Sequence, residues 1–327
     1  MKLLISGYYG FGNLGDEALL AGTLPELKER GLVPTVLSAR PKATARLHGV
    51  PAEHRVWQAL PALLQTDALL SGGGGLLQDK TSGRSLSYYL GLIRLAKRLG
   101  KRVAVYGQSV GPLSEKGRQS VAHALSGVAV AVRDEASRQL LRSLSVPAHL
   151  SADAALLLSG APAAPAGAVT LLIPRGGYPD ITDGLIHLGR SLRGRGLEVA
   201  AVALQPGEDG SELSRLQAAV PDLILYKAQT PLELLSLIAG SAYVVSARLH
   251  GLILAANAGV DFCGVVYDPK VAAFCHEAGA PALTLPLNAR ALTRAALDRP
   301  EVPLERVAAL KARAAAGLDW LEQQLKS

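Results

Sequence analysis

Three apolar runs in this sequence lead directly to a cation. Ala129-Val-Ala-Val132 leads to Arg133, Tyr243-Val-Val-Ser246 leads through Ala247 to Arg248, and Val265-Val266 leads through Tyr267, Asp268 and Pro269 to Lys270. A guanidinium can grip a carboxylate or phosphate with two parallel N–H bonds, and an ammonium adds a point charge. Cations in these positions emerge at the carboxyl ends of buried strands, where open α/β sheets bind ligands. Any one of them suits a structural ion pair equally well. Three together point to a small anionic, phosphorylated substrate. His250, just past Arg248, is the one of seven histidines placed this way. Beside Arg248 it suits a general acid or base that titrates near neutrality.

Two glycine segments also follow apolar runs. The first is Gly7-Tyr-Tyr-Gly-Phe-Gly-Asn-Leu-Gly-Asp-Glu17. Its Gly10-x-Gly12-x-x-Gly15 spells a dinucleotide fingerprint, but Gly7 to Tyr9 intervene where an immediate turn is expected. Asp16 and Glu17 would also set two negative charges where a pyrophosphate should meet free N–H groups. Both features argue against a nicotinamide cofactor. Asp16 suits an ordinary helix cap as well as it suits a functional role. The second segment, Ser71-Gly-Gly-Gly-Gly-Leu-Leu-Gln-Asp79, places four glycines after a buried strand, where bare backbone can approach a ligand closely. Gln78 and Asp79 at its edge suit the hydroxyls of a sugar. No cluster with metal-ligand spacing and no Gly-x-Ser-x-Gly elbow occurs.

The composition narrows the function further. The chain has 327 residues, 49% of them hydrophobic and 19% charged, enough for two packed domains and unlike a disordered chain. Aromatic residues are only 4%, which disfavours a stacking platform for bases. The net charge of +7 comes from scattered basic residues, which suit an ordinary basic surface, or more sharply a field that draws anionic substrates inward, and not a nucleic-acid track. Cys263 and Cys275 read as ordinary thiols of a reducing compartment. The start is strand-like, without a signal peptide, and no apolar run approaches the roughly 18–20 residues that span a bilayer. The expected location is cytoplasmic, with at most peripheral contact at the inner face of the membrane.

Short apolar runs alternate with amphipathic stretches, the pattern of βαβ units around parallel strands. Strands are expected at Leu3–Ser6, Thr35–Ser38, Ala68–Ser71, Arg102–Tyr106 and Val128–Val132, then at Val169–Ile173, Val199–Leu204, Leu223–Tyr226, Tyr243–Ser246, Phe262–Val266 and Leu283–Leu285. Helices are expected between them, including Glu17–Arg30, Leu86–Leu99, Ser211–Ala219 and Gly251–Ala258, with a closing helix at Leu304–Lys326. The stretch 159–168, of small residues and prolines, reads as a linker. The fold class is therefore α/β, with two doubly wound Rossmann-like domains facing a cleft. Their expected extents are 1–160 on the acceptor side, 161–168 as linker and 169–300 on the donor side. The helix within 301–327 is expected to pack back on the first domain.

The ordered set of the two glycine segments, Val132-Arg-Asp134 and Ser246-Ala-Arg-Leu-His-Gly251 resembles the polysaccharide pyruvyl transferases, most closely the bacterial CsaB type. The resemblance spans nearly the whole chain; four glycines stand where the family pattern has three and a small residue. It implies a GT-B-like fold and phosphoenolpyruvate as donor substrate, with no metal or other cofactor. The implied acceptor is a lipid-linked saccharide, such as one carrying N-acetylmannosamine, and the implied product is a pyruvate ketal of a cell-wall polymer that anchors S-layer proteins. Arg133, Arg248 and Lys270 would hold the donor and His250 would act as acid or base. Asn13, Asp16, Gly73, Gly74, Gln78 and Asp79 would meet the acceptor, with Asp16 a base for its hydroxyl. The residues themselves leave two alternatives open: a nucleotide-sugar glycosyltransferase of the same fold, and a non-catalytic protein that binds a wall precursor.

Overall fold

The computed structural model describes residues 1–80, 83–160 and 167–326. Most of the expected linker, 161–166, lies outside the described residues. The chain divides into two compact units. Unit 1 comprises Met1–Phe11, Leu19–Leu157 and Lys311–Ser327, and unit 2 comprises Gly12–Ala18 and Leu158–Leu310.

In unit 1, strands β1 (Lys2–Ser6), β2 (Val33–Ser38), β3 (Ala52–His54), β4 (Ala68–Ser71), β5 (Gly74–Leu77), β6 (Arg102–Val110), β7 (Ala129–Val132) and β8 (His149–Leu150) form one sheet. Its order is β3-β2-β1-β4-β6-β7-β8, with β5 paired to β6, and its ladders are parallel. Strand periodicity splits the apolar residues between two cores. Leu4, Leu69, Val105 and Val130 face a layer that includes α4 (Gly83–Arg98), α5 (Glu115–Leu125) and α6 (Glu135–Ser143). Leu3, Ile5, Leu70 and Ala104 face α1 (Leu14–Glu29) and the end of α13 (Leu304–Lys326). On α4, Leu86, Leu90 and Ile93 form the buried stripe, and Lys97 at its end donates to the Ser126 carbonyl.

In unit 2, strands β9 (Thr170–Ile173), β10 (Val199–Ala201), β11 (Ile224–Leu225), β12 (Tyr243–Ser246), β13 (Phe262–Val266) and β14 (Ala282–Thr284) run parallel in the order β11-β10-β9-β12-β13-β14. Helices α7 (Pro179–Arg193), α8 (Pro206–Ala219), α9 (Pro231–Ala239), α10 (Leu249–Ala258), α11 (Pro269–Ala278) and α12 (Ala289–Asp298) complete it. Ile181, Leu185, Leu188 and Leu192 of α7 are fully buried on one stripe. Truncating one of them to Ala costs roughly 2–5 kcal/mol.

Several elements differ from the sequence-based expectation. The glycine run is only partly a loop, since Gly74–Leu77 is strand β5, with Gly74 opposite Gln108 and Leu77 opposite Val110. Helices α2 (Pro41–His48) and α3 (Ala59–Leu64), strands β3 and β8, and helix α11 were not expected. Helix α8 begins at Pro206, not Ser211, and α1 at Leu14, not Glu17. Among the described residues, no helix is long and apolar enough to cross a membrane.

Candidate active site

The sheet of unit 2 reverses its winding between β9 and β12, where Ile173 and Ser246 are register partners. Ligands of doubly wound sheets bind outside the strand ends at such a point. Beyond β9 the chain runs Pro174-Arg175-Gly176, and beyond β12 it runs Ala247-Arg248 into α10. Ser246 fixes this second turn: its Oγ accepts from Arg248 N at 3.0 Å and donates to Arg248 O at 2.8 Å. Gly251 lets α10 sit hard against the sheet. A Cβ there would press on Ser246 Oγ and lie 2.8 Å from Ile173 Cδ1. The Ser246-to-Gly251 motif is thus a strand-to-helix turn that aims Arg248 and His250 at the carboxyl edge.

Two adjacent carboxylates at the start of α8 meet the two arginines. Asp209 is fully buried and accepts from Gln205 N at 3.0 Å, Gly176 N at 2.9 Å and Arg248 Nε at 3.1 Å, with a second bond from the same guanidinium. This bidentate grip fixes the Arg248 plane. Glu208 lies further out. Its Oε2 accepts from Arg248 at 3.3 Å and also from Arg175, while its Oε1 accepts from Gln205 Nε2 at 3.0 Å. Partial burial alone would raise the Glu208 pKa, but Arg175 and Arg248 together hold it below the ordinary range. The Arg175 guanidinium carbon lies 6.0 Å from the ring centre of Tyr267, and Tyr267 packs on Tyr178 at 4.6 Å.

The segment Gly12–Ala18 belongs to this same unit. Leu14 N donates to Leu204 O at 2.9 Å. At Gly15 the approach of His250 leaves no room for a side chain, because a Cβ would fall against imidazole Nδ1. The helix start is held by Asn13, not Asp16: Asn13 Oδ1 accepts from Gly15 N at 3.0 Å, and its Nδ2 donates to Asp16 Oδ2 at 2.6 Å. The cap reading of Asp16 is therefore corrected. Asp16 and Glu17 are 8% and 4% exposed. Lys270 lies in the first turn of α11, not in a strand-end loop. Asp268 caps that helix by accepting from Lys270 N at 3.1 Å, and its carboxylate lies 3.7 Å from Lys270 Nζ.

The remaining expected residues belong to unit 1. Arg133 is buried, donating to Asp153 Oδ2 at 2.6 Å and to Ser109 Oγ at 2.7 Å. Asp79 accepts from Ser114 N at 2.9 Å and from its hydroxyl, which holds it below the usual carboxylate range. Ser114 in turn caps α5. Gly73 packs between α1 and β6, where a Cβ would lie 3.0 Å from Leu19 Cδ2 and 3.1 Å from Gly107 O. Gly74 has φ +108°, a backbone setting that favours glycine. Gln78 is half-buried just after β5. A group of aromatic residues lies beyond β1. Tyr8 stacks on Phe11 at 4.2 Å, and Arg55 lies 4.2 Å from the Tyr88 ring centre and 5.1 Å from that of Phe11. Among the described residues, no three His, Cys, Asp or Glu side chains gather as a metal-binding group.

The polysaccharide pyruvyl transferase family model matches residues 13–269, from the asparagine that opens α1 to the proline that opens α11. The chain belongs to the polysaccharide pyruvyl transferase family. It is accordingly a transferase of polysaccharide biosynthesis. No curated protein matches its sequence significantly.

This pyruvyl transferase family member has the GT-B fold. It is similar to the UDP-GlcNAc 2-epimerase of Neisseria meningitidis, bound to UDP-GlcNAc, with a TM-score of 0.63 and 14% identity over 100% of both chains. The UDP-GlcNAc 2-epimerase of Methanocaldococcus jannaschii gives a TM-score of 0.66 and 12% identity, also over 100% of both chains. A glycosyltransferase of Rickettsia africae gives 0.60 and 11% identity over 99% of this chain and 96% of that one.

The sequence reading of this pyruvyl transferase family member missed Arg175, Glu208 and Asp209. Arg175 follows the apolar run of β9 just as Arg248 follows β12, so the strand-end rule was sufficient to find it. The flanking Pro174, Gly176 and Gly177 make the segment read as a turn. Glu208 and Asp209 lie in the first turn of α8, which Pro206, Gly207 and Gly210 made look like loop.

Proposed function

We propose that this chain moves the pyruvyl group of phosphoenolpyruvate onto two hydroxyls of a saccharide as a ketal and releases inorganic phosphate. Membership of the family supports the transfer. The observation that carries the donor assignment is the pair of guanidiniums at the switch point of unit 2, with one carboxylate oxygen bridging them. Arg175 and Arg248 hold the donor, and Lys270 adds a charge for its phosphate.

The donor's methylene carbon takes up a proton and becomes a methyl group, leaving oxocarbenium character at C2. A sugar hydroxyl attacks C2 and the C2–O bond to phosphate breaks. The second hydroxyl closes the ketal. Of the two hydroxyl protons displaced, one balances that gained by the methylene and the other leaves with phosphate. His250, held at the edge by the Ser246 turn and packed against Gly15, is the acid and base for these transfers. The cations neutralise the departing phosphate.

Asn13 and Asp16 are the acceptor ligands of unit 2, with Asp16 the base for the attacking hydroxyl. Gln78 is the acceptor candidate of unit 1. Asp79 is committed to Ser114 and Gly73 to packing, so neither carries that assignment further. The acceptor is a lipid-linked saccharide of a wall polymer bearing N-acetylmannosamine, as in the CsaB type with its S-layer-anchoring ketal, and the reaction takes place at the cytoplasmic face of the membrane. The test is incubation with phosphoenolpyruvate and a β-N-acetylmannosaminide, read as phosphate release and product mass. A second reading, nucleotide-sugar transfer, draws on the fold shared with the Rickettsia glycosyltransferase. Protection against heating by UDP- or GDP-sugars, but not by phosphoenolpyruvate, would favour it.

A further inference from the structure

We propose that Arg175, Arg248 and Gln205 form a carboxylate subsite whose present occupant is the chain's own Glu208, and that the donor's carboxylate takes that place. The inference rests on the reading of this site as the donor site. Glu208 is bound as a free carboxylate ligand would be bound. One oxygen bridges two guanidiniums and the other accepts from an amide N–H, so three side chains from three segments converge on one group.

Its neighbour shows what a permanent structural carboxylate looks like here. Asp209 has a fully buried side chain and holds two backbone N–H groups besides Arg248. Glu208 has a side chain 43% exposed, is held by the side chains of Arg175, Arg248 and Gln205, and stands at the solvent edge of the first helical turn. Rotation of its side chain into water leaves Arg248 paired with Asp209 and Arg175 3.8 Å from the same carboxylate, whereas rotation of Asp209 would strand Arg248.

The charge balance favours exchange over addition. With Glu208 in place, two guanidiniums face two carboxylates and the group is neutral. A donor arriving beside Glu208 would add its negative charge to a neutral set. A donor carboxylate arriving in its place restores the same balance with the same geometry. Glu208 therefore competes with the donor, and the apparent affinity is the intrinsic affinity reduced by the fraction of molecules with the subsite open. It also keeps Arg175 and Arg248 in register, since like charges brought this close repel without an anion between them.

Calorimetric binding of pyruvate, inorganic phosphate and phosphoenolpyruvate to the wild type, Glu208→Gln and Arg175→Gln tests the proposal, with thermal melting to confirm that each variant is folded. Pyruvate carries the carboxylate without the phosphate, and inorganic phosphate the reverse. Glu208→Gln is expected to tighten pyruvate and phosphoenolpyruvate by roughly two- to fivefold, the range set by loss of a partly exposed ion pair, and to leave inorganic phosphate unchanged. Arg175→Gln is expected to weaken pyruvate and phosphoenolpyruvate while retaining inorganic phosphate. Pyruvate binding that is absent or not tightened in folded Glu208→Gln overturns the subsite, as does tightening of phosphate alone. If the pyruvate pattern fails while phosphoenolpyruvate is still turned over, the subsite is wrong and the function stands. If the pattern holds and no acceptor supports turnover, the function is wrong and the subsite stands.

Discussion

Arg175 and Arg248 leave adjacent parallel strands at the same level. Each stands two residues beyond a member of the register pair Ile173 and Ser246, and both donate to the same oxygen of Glu208. The two cations are placed by the sheet itself and not by a mobile loop. Turns at Ser246 and Gly176, both tied by hydrogen bonds, then aim them. Such preorganisation lowers the ordering cost of gripping an anion.

Arg248→Ala is expected to do more than weaken donor binding. It removes the partner of a fully buried Asp209, and an uncompensated charge of that kind costs roughly 3–5 kcal/mol. Chemical denaturation should show the loss, and Arg248→Lys should restore part of the stability without the bidentate grip. A variant as stable as the wild type would mean that Asp209 does not depend on Arg248.

Gly15→Ala tests the placement of His250. The new Cβ competes with imidazole Nδ1 for the same space, so the ring must turn away. Displacement of a catalytic group by about 1 Å can cost ~10²-fold in rate. The expected result is a fall of that order in kcat with donor affinity close to the wild type, alongside a loss of stability of roughly 1–3 kcal/mol from overpacking against His250. Unchanged turnover would remove His250 from the chemistry.

Arg133 is the cation for which structural and donor roles separate most cleanly. Its guanidinium is paired with Asp153, with both side chains about as buried as core residues at 5% and 4% exposed. Arg133→Met is expected to lose roughly 3–5 kcal/mol of stability, because Asp153 is stranded, and to leave donor affinity unchanged. Preserved stability with collapsed phosphoenolpyruvate binding would return Arg133 to the donor clamp.

Cys263 and Cys275 are buried free thiols, both pushed up to about 12, chiefly by burial. Native protein at neutral pH should resist iodoacetamide and react only once unfolded. Because the folded values are raised, the stability they contribute is complete below the unfolded value of ~8.5 and is lost as pH climbs from there toward about 12. A denaturation midpoint indifferent to pH across that window would contradict the shift.

Central strands such as Leu3–Ser6, Tyr243–Ser246 and Phe262–Val266 were legible because burial on both faces writes a continuous apolar run. Strand β5 was not, since a sequence of glycines has no strand preference of its own and pairing with β6 imposes the conformation. Short edge elements such as β3 and β8 carry too few apolar residues to register. In the site, Arg248, His250 and Lys270 were read from what precedes them. The partners of a cation cannot be read that way: nothing in the sequence around Arg133 announces Asp153, and nothing around Arg248 announces Asp209. Those pairings arise only when the strands are laid side by side.

Incubation of the purified protein with phosphoenolpyruvate and a β-N-acetylmannosaminide, or the corresponding lipid-linked disaccharide, tests the central claim most directly. The account predicts stoichiometric release of inorganic phosphate and a product heavier by one pyruvyl ketal, both lost in Arg248→Ala. No phosphate release with either acceptor, together with no binding of phosphoenolpyruvate, would contradict it.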